Sequence, residues 1–369
     1  MNIVFLGPAF PPEMREFTRG LAEAGASVLG VGDGPPDPRI VPYLKAYLRV
    51  PSLVRGPDVV ERVLHWTRNE PIHNVVGNWE PTMLAAAQLR EELGIAGMTA
   101  DQVLGFRDKP IMRDRVKAAG VRVPKTQRAQ TVAEVFQATQ DIGFPVVVKP
   151  VDGAGSADTH IVEDLSALKA LLPKLLHVDA ISVEEFIKGQ EFTYETICID
   201  GSPVYEAMSR YEPNTLDARQ NEWISPIIQS LTQLEHPRLR EARDMGMKAM
   251  QALGMGTGFT HMEWFLTDSG EVVFGEIACR SPGANMVDLM NYAGDVDLYA
   301  AWGEAIVHGR LPPLNLASRS AAIVFKRATG RGRIARITGL RSFIERYEPH
   351  IARIDLLPIG APRRDWRQT

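Results

Sequence analysis

Two short apolar runs, residues 260–267 and 271–278, carry Glu263 and Glu276 in their interiors, with Glu271 at the turn end of the second. Asp268-Ser269-Gly270 between them is a hairpin-turn signal. A four-residue turn at 268–271 makes Thr267 face Val272, and the same register sets Glu263 directly opposite Glu276. Their Cβ atoms would then stand ~5 Å apart on one face. Two carboxylates at that spacing repel by about 3 kcal/mol at an effective dielectric of 20. A fold keeps such a pair where a cation sits between them or where one is protonated. Oxygen-only donors in an apolar hairpin suit Mg²⁺, which takes one or two carboxylates and completes its shell with phosphate and water. A solvated pair, or a register slipped by one, would leave the same residues in the sequence.

The rest of the chain frames this hairpin. Its 369 residues have room for two to three domains. In the first hundred, short apolar strands (2–6, 26–31, 73–77) alternate with helical stretches (13–24, 59–69, 81–93), the pattern of an open parallel α/β sheet. Gly32-Asp33-Gly34 lacks the spacing of a dinucleotide fingerprint. Asp108 can cap a helix from Lys109 to about residue 119, and Thr131 with Glu134 forms a capping box. Strands at 144–149, 160–162 and 181–187 make a compact α+β unit. A third unit opens with a hairpin, 191–199 and 204–210, turning at Asp200-Gly201. The predicted fold class is thus α/β joined to α+β. Residues 211–223 read as a long polar loop, a length that is often functional.

Composition excludes several classes. Charged residues at 23% and hydrophobic residues at 45% fit a folded globular chain. The net charge of −4 gives no overall electrostatic case for nucleic acid or an anionic membrane. Residues 326–369 hold 11 Lys+Arg against 4 Asp+Glu, so the remainder carries −11. A basic segment of this kind is a solvated face, a subunit contact or, less often, a nucleic-acid arm. Two cysteines, Cys198 and Cys279, exclude a disulfide framework and a four-cysteine zinc site. No apolar run approaches the ~18 residues of a membrane span, and the N-terminus lacks a basic leader, so a cytoplasmic address is expected.

Other residues suggest anion chemistry. Lys149 ends the run Pro-Val-Val-Val-Lys-Pro and faces a small-residue loop containing Gly153, Gly155, Ser156 and Ala157. Such a loop can bring backbone N–H groups close to phosphate, or it is a plain surface turn. It is not a P-loop. At the junction of the second and third units, Glu184-Glu185-Phe186-Ile187 places acids and free backbone beside each other. Arg210 could pair bidentately with a substrate carboxylate, or be an ordinary surface arginine.

In order along the chain stand Asp108-Lys109-Pro, Val-Val-Val-Lys149-Pro, a Gly/Ser loop, Glu184-Glu-Phe-Ile-x-Gly-x-Glu191, Glu263, and Glu276-x-x-x-Arg280. This series resembles the ATP-grasp superfamily across roughly residues 100–310, preceded by an α/β unit like the one that commonly precedes the grasp. The Glu-Ile-Ala-x-Arg-x-Pro-Gly variant is similar to the branch of amino-acid and dipeptide ligases. The resemblance implies a pre-grasp domain at 1–105, a small lid subdomain at 106–188, a large subdomain at 189–325 and a basic C-terminal segment at 326–369. It implies that Lys109 and Lys149 contact ATP phosphates and that the loop 153–158 closes over them. Glu184 would take the adenine amino group, with backbone at Glu185 and Ile187, flanking Phe186, along the ring edge. Glu191 would bind ribose. Glu263 and Glu276 would hold Mg²⁺, for which Mn²⁺ can substitute, and Arg280 would stabilise the transferring phosphoryl group.

One departure stands out. The family commonly has Asn two residues after the second glutamate, and this chain has Ala278. In the hairpin register Ala278 faces His261, which either supplies a polar group there or is a bystander. Ser281 and Asn285 are further substrate-segment candidates. The resemblance implies activation of a small carboxylate as acyl phosphate and capture by an amine. It also implies a homodimer as a common assembly of relatives. Two other readings remain open, a bicarbonate-activating carboxylase and a silent ATP-binding module.

Overall fold

The computed structural model describes residues 1–150, 159–175, 180–314 and 319–365. The predicted small-residue loop, with Gly153, Gly155, Ser156 and Ala157, lies outside the described residues.

The first unit runs β1 (Asn2–Leu6), α1 (Met14–Glu23), β2 (Ser27–Gly32), β3 (Leu44–Arg49), α2 (Gly56–Thr67), β4 (Asn74–Gly77) and α3 (Glu80–Glu92). Its sheet has the order β3-β2-β1-β4, and every pairing is parallel, as the strand–helix alternation predicts. Strand β3 is absent from the sequence reading. It is a partly exposed edge strand carrying Lys45 and Arg49, so its hydrophobic signal is weak. Helix α4 (Ala100–Arg107) and helix α5 (Lys109–Ala118) follow, with the Asp108 side chain accepting from Ile111 N at 3.0 Å to start α5.

The second unit contains β5 (Thr126–Ala129), α6 (Val132–Ile142), β6 (Val146–Pro150), β7 (His160–Val162), α7 (Leu165–Leu171) and β8 (Ile181–Glu185). Its antiparallel sheet has the order β5-β8-β6-β7. Thr131 and Glu134 form the expected reciprocal capping box on α6.

The third unit holds β9 (Gly189–Ile199), β10 (Ser202–Glu212), α8 (Thr215–Gln220), β11 (Ile227–Ser230), α9 (Pro237–Leu253), β12 (Gly258–Thr267), β13 (Val272–Ala278), α10 (Met286–Gly294), α11 (Leu298–His308) and β14 (Ala322–Val324). Helix α12 (Leu340–Tyr347) comes last. The six-stranded sheet runs β13-β12-β9-β10-β11-β14. The polar stretch 211–223 is only in part a loop, because β10 extends through Tyr211 and α8 is folded within it.

Strand alternation gives this sheet two unlike faces. On one, Phe192, Tyr194, Met208, Met262, Trp264 and Ile277 pack with α9 in a single core. Phe192 and Trp264 are directly cross-strand and stack with centroids 4.6 Å apart. On the other, Ile197 and Phe259 pack against Phe17 of α1 and Tyr299 and Trp302 of α11. Gly20 of α1 and Gly303 of α11 let these two helices touch by backbone. A Cβ at Gly20 would meet Tyr299 O at 2.2 Å, and one at Gly303 would meet Gly20 O at 2.2 Å. The first and third units therefore share a core. Among the described residues, no helix is long and apolar enough to cross a membrane.

Candidate active site

The apolar core of that second face gives way to carboxylates toward the β12–β13 turn. Cross-strand register places Glu263 opposite Thr193, and His261 opposite Glu195. Glu263 is also opposite Glu276, and His261 opposite Ala278. The two central glutamates are thus paired as the sequence predicts, though by a different route. At the turn, Leu266 rather than Thr267 faces Val272. The one-residue offset is removed by a bulge at Gly275. A Cβ there would lie 2.7 Å from Glu263 O, so the bulge tolerates only glycine without a shift.

Each glutamate of the pair has a cation. Lys109 Nζ, at the first turn of α5, is 2.5 Å from Glu276 Oε2. His261 Nε2 is 3.7 Å from Glu263 Oε1, while its Nδ1 is 2.9 Å from Glu195 Oε1. Burial alone would lower the His261 pKa, but its hydrogen bond to Glu195 and the nearby Glu263 carboxylate raise it to about 9. Burial would likewise push Glu263 up. His261, Lys109 and the Tyr211 hydroxyl, 3.4 Å away, outweigh that and hold it low. Among the described residues, no group of three or more His, Cys, Asp and Glu is gathered to hold a metal ion. The donor set is two opposed carboxylates, oxygen-only, which is what Mg²⁺ takes from protein when phosphate supplies the rest.

Glu191 is buried, and its carboxylate accepts from Thr215 N at 2.7 Å and Thr215 Oγ1 at 2.9 Å. Burial and the Glu263 charge push it up to about 7 against those bonds. Asn214 Oδ1 accepts from Glu191 N at 2.9 Å, and Asn214 Nδ2 donates to Gly189 O at 2.7 Å. The start of β9 thereby anchors the α8 segment. To reach a ribose hydroxyl, the Glu191 carboxylate would have to share itself with Thr215.

Around the end of β8, Glu184 accepts from Arg113 at 2.8 Å, Lys149 at 2.7 Å and Ser182 Oγ at 2.8 Å. Burial would raise its pKa, but those cations and hydrogen bonds hold it below the usual carboxylate range. The neighbouring Glu185 carboxylate is clasped by Arg122 at 2.6 and 3.0 Å and by Lys125 N at 2.9 Å. Glu185 N donates to Lys125 O, and Phe186 N to Pro145 O. Ile187 follows β8 and is half-buried.

Arg280 Nε donates to Glu80 Oε2 at 3.0 Å, and its Nη1 to Ser281 O at 2.7 Å. Ser281 is buried, and its N–H donates to Asn78 Oδ1 at 2.8 Å. Ala284 and exposed Asn285 both have φ +55°, a left-handed conformation costly for a side chain. The segment after β13 is thus held from the first unit and strained at its far end.

Arg210 stands apart from the carboxylate pair. It lies opposite Phe192 and Gln229, on the α9 side of the sheet, away from Glu263 and Glu276. It bonds Gln229 at 3.0 Å and Glu212 at 3.2 Å. One step of strand alternation separates it from the carboxylate face.

The sequence reading missed Asn78, Glu80, Arg113, Arg122, Glu195 and Tyr211. Asn78 and Glu80 had one available signal. They follow the carboxyl end of β4, where α/β sheets place ligand residues. The others carry no local motif.

Residues 114–290 match the family model described as the ATP-grasp domain. The chain carries an ATP-grasp domain. Its curated relatives include an L-arginine-specific L-amino acid ligase of Bacillus subtilis, 26% identical over 236 residues, 62% of this chain and 56% of that one. An alanine–anticapsin ligase of Bacillus subtilis is 26% identical over 266 residues, 65% of this chain and 55% of that one. The chain thus spans about half the length of these relatives. In fold, it is similar to the crystal structure of an L-amino acid ligase from Bacillus licheniformis. The TM-score is 0.75 at 19% identity, covering 99% of this chain and 89% of that one. The ATP-grasp fold therefore frames the carboxylate pair.

Proposed function

We propose that this protein is an ATP-dependent ligase. It activates a small carboxylate, such as an amino acid, as an acyl phosphate, and an amine then displaces phosphate to form an amide. The observation that carries this reading is the opposed Glu263/Glu276 pair, with Lys109 against it, inside an ATP-grasp domain. The amino-acid ligases among its relatives support a substrate of that class.

In this reading Lys109 and Lys149 meet ATP phosphates, each leaving the carboxylate it now pairs with. Glu184, freed from Lys149 but still held by Arg113 and Ser182, faces the adenine amino group, with the backbone of Glu185 and Ile187 beside the ring. Glu263 and Glu276 hold Mg²⁺, which supplies charge neutralisation for the phosphates when bound. Phosphoryl transfer needs positioning and positive charge more than covalent help. Arg280, fixed by Glu80, presents its guanidinium to the transferring group. The segment from Ser281 to Asn285 and the α8 segment border the substrates. A reaction drawing on ATP and free amino acids, in a chain with two buried thiols, fits the cytoplasm.

The test is ADP and phosphate release with Mg·ATP across a matrix of amino acids and amines, with bicarbonate as a separate arm and hydroxylamine as trap. The expected result is release that requires a carboxylate, with hydroxamate formed when the amine is omitted. Release driven by bicarbonate alone would replace the ligase reading with a carboxylase. ATP binding without release under any pairing would leave a nucleotide-binding module.

A further inference from the structure

We infer that Glu195 is a positioning residue that holds His261 off Glu263, leaving both carboxylates of the Glu263/Glu276 pair open to a divalent cation. The inference rests on the ligase reading above.

The two ring nitrogens of His261 face different carboxylates. Nδ1 lies 2.9 Å from Glu195 Oε1, a full hydrogen bond. Nε2 lies 3.7 Å from Glu263 Oε1, within ion-pair range and beyond hydrogen-bond reach. The ring thus lies between two carboxylates and makes its hydrogen bond with Glu195. The nearer anion has the stronger claim on it. Glu195 has a side-chain exposure of 0%, and its Oε2 has no hydrogen-bond partner. A carboxyl group so removed from water, with one oxygen unpartnered, needs its remaining hydrogen-bond partner close. Glu263, at 25% exposure, is less demanding.

Register makes the arrangement rigid. Glu195 and His261 are directly opposite on β9 and β12, and the residue facing His261 from β13 is Ala278, which offers no polar side-chain atom. Only Glu195 and Glu263 therefore compete for the ring on this ladder. The cation on the other glutamate is of a different kind. Lys109 is a flexible chain at 52% exposure and can swing from Glu276 to a phosphate. His261, at 11% exposure, sits in mid-strand and cannot leave. If Glu195 did not hold it back, it would settle on Glu263 and occupy the oxygen that a metal needs.

The test is Mn²⁺ affinity, read by electron paramagnetic resonance of free Mn²⁺, for the full chain with the β,γ-imido analogue of ATP. Glu195→Gln keeps the shape and removes the charge, and it is expected to weaken Mn²⁺ binding about tenfold. His261→Asn removes the competitor, and binding is expected to be unchanged or tighter. The decisive variant is the double one, which is expected to return to the His261→Asn value. A double variant as weak as Glu195→Gln would show a merely structural role and overturn the inference, as would an unchanged Glu195→Gln. Should Glu195→Gln lose its cooperative thermal transition, Glu195→Asp retracts the carboxylate from the ring and is expected to weaken binding in the same direction. Absence of Mn²⁺ binding by the unmodified protein would overturn the ligase reading itself, before any variant is compared.

Discussion

The Glu80 carboxylate, at the first turn of α3, accepts from Arg280 Nε at 3.0 Å and also pairs with Arg107 at 3.2 Å. One acid of the first unit thus fixes a cation of the third, 200 residues away in sequence. Glu80→Gln is expected to lower kcat by about tenfold or more, since a small misplacement of a positioned group costs that much. ATP affinity should stay near its original value. The pair is partly exposed, so stability should fall by less than about 1 kcal/mol. Steady-state kinetics beside thermal unfolding would check this, and an equal loss in both would assign Glu80 to folding alone.

Glu276→Ala removes one of two opposed carboxylates and leaves Lys109 without its partner. Turnover is expected to fall at least about a hundredfold, with no recovery at high Mg²⁺. In the unmodified protein, chelation by EDTA should abolish phosphate release, and either Mg²⁺ or Mn²⁺ should restore it. Wild-type-like turnover of the variant at limiting Mg²⁺ would move the metal elsewhere.

Gly275→Ala puts a Cβ 2.7 Å from Glu263 O, at the bulge that brings Glu263 opposite Glu276. The strand must shift, and a cost of about 1–3 kcal/mol is expected. Mg²⁺ dependence should move to higher concentration as well. Gly34→Ala, which meets nothing within 4 Å, is the control. A variant at 275 as stable and as Mg²⁺-sensitive as that control would mean that the bulge does not set the pair.

Arg122 joins Glu185 and Glu271, tying the end of β8 to the β12–β13 turn. Burial raises the Glu185 pKa, but hydrogen bonds from Arg122 and Lys125 N bring it below its ordinary value. A depressed folded-state pKa gives stability above the unfolded value of about 4.3, lost as pH falls through the folded value. Arg122→Ala should therefore lower Tm at pH 7, and the gap from the unmodified protein should close below about pH 4. A gap that persists at pH 3 would assign the effect to packing of the Arg122 stem.

Much of this was written locally in the chain. Caps such as Asp108 and Thr131 act within one turn, so they mark helix starts in the sequence alone. The period-two alternation of β9 and β12, with Glu191 and Glu195 against Phe192 and Tyr194, shows which residues share a face. The facing glutamates followed from turn length, although the tip register and the Gly275 bulge each departed from the simple hairpin and cancelled. The ordered motifs from Lys109 to Arg280 carried the ATP-grasp resemblance, which the family match bears out. What only the tertiary structure decided were contacts between distant segments. These are Glu80 on Arg280, Arg113 and Lys149 on Glu184, and Glu195 on His261. Sequence periodicity records which side of its own element a residue occupies. It holds no record of which other element comes to cover that side, because burial and charge pairing are settled only when the units pack together.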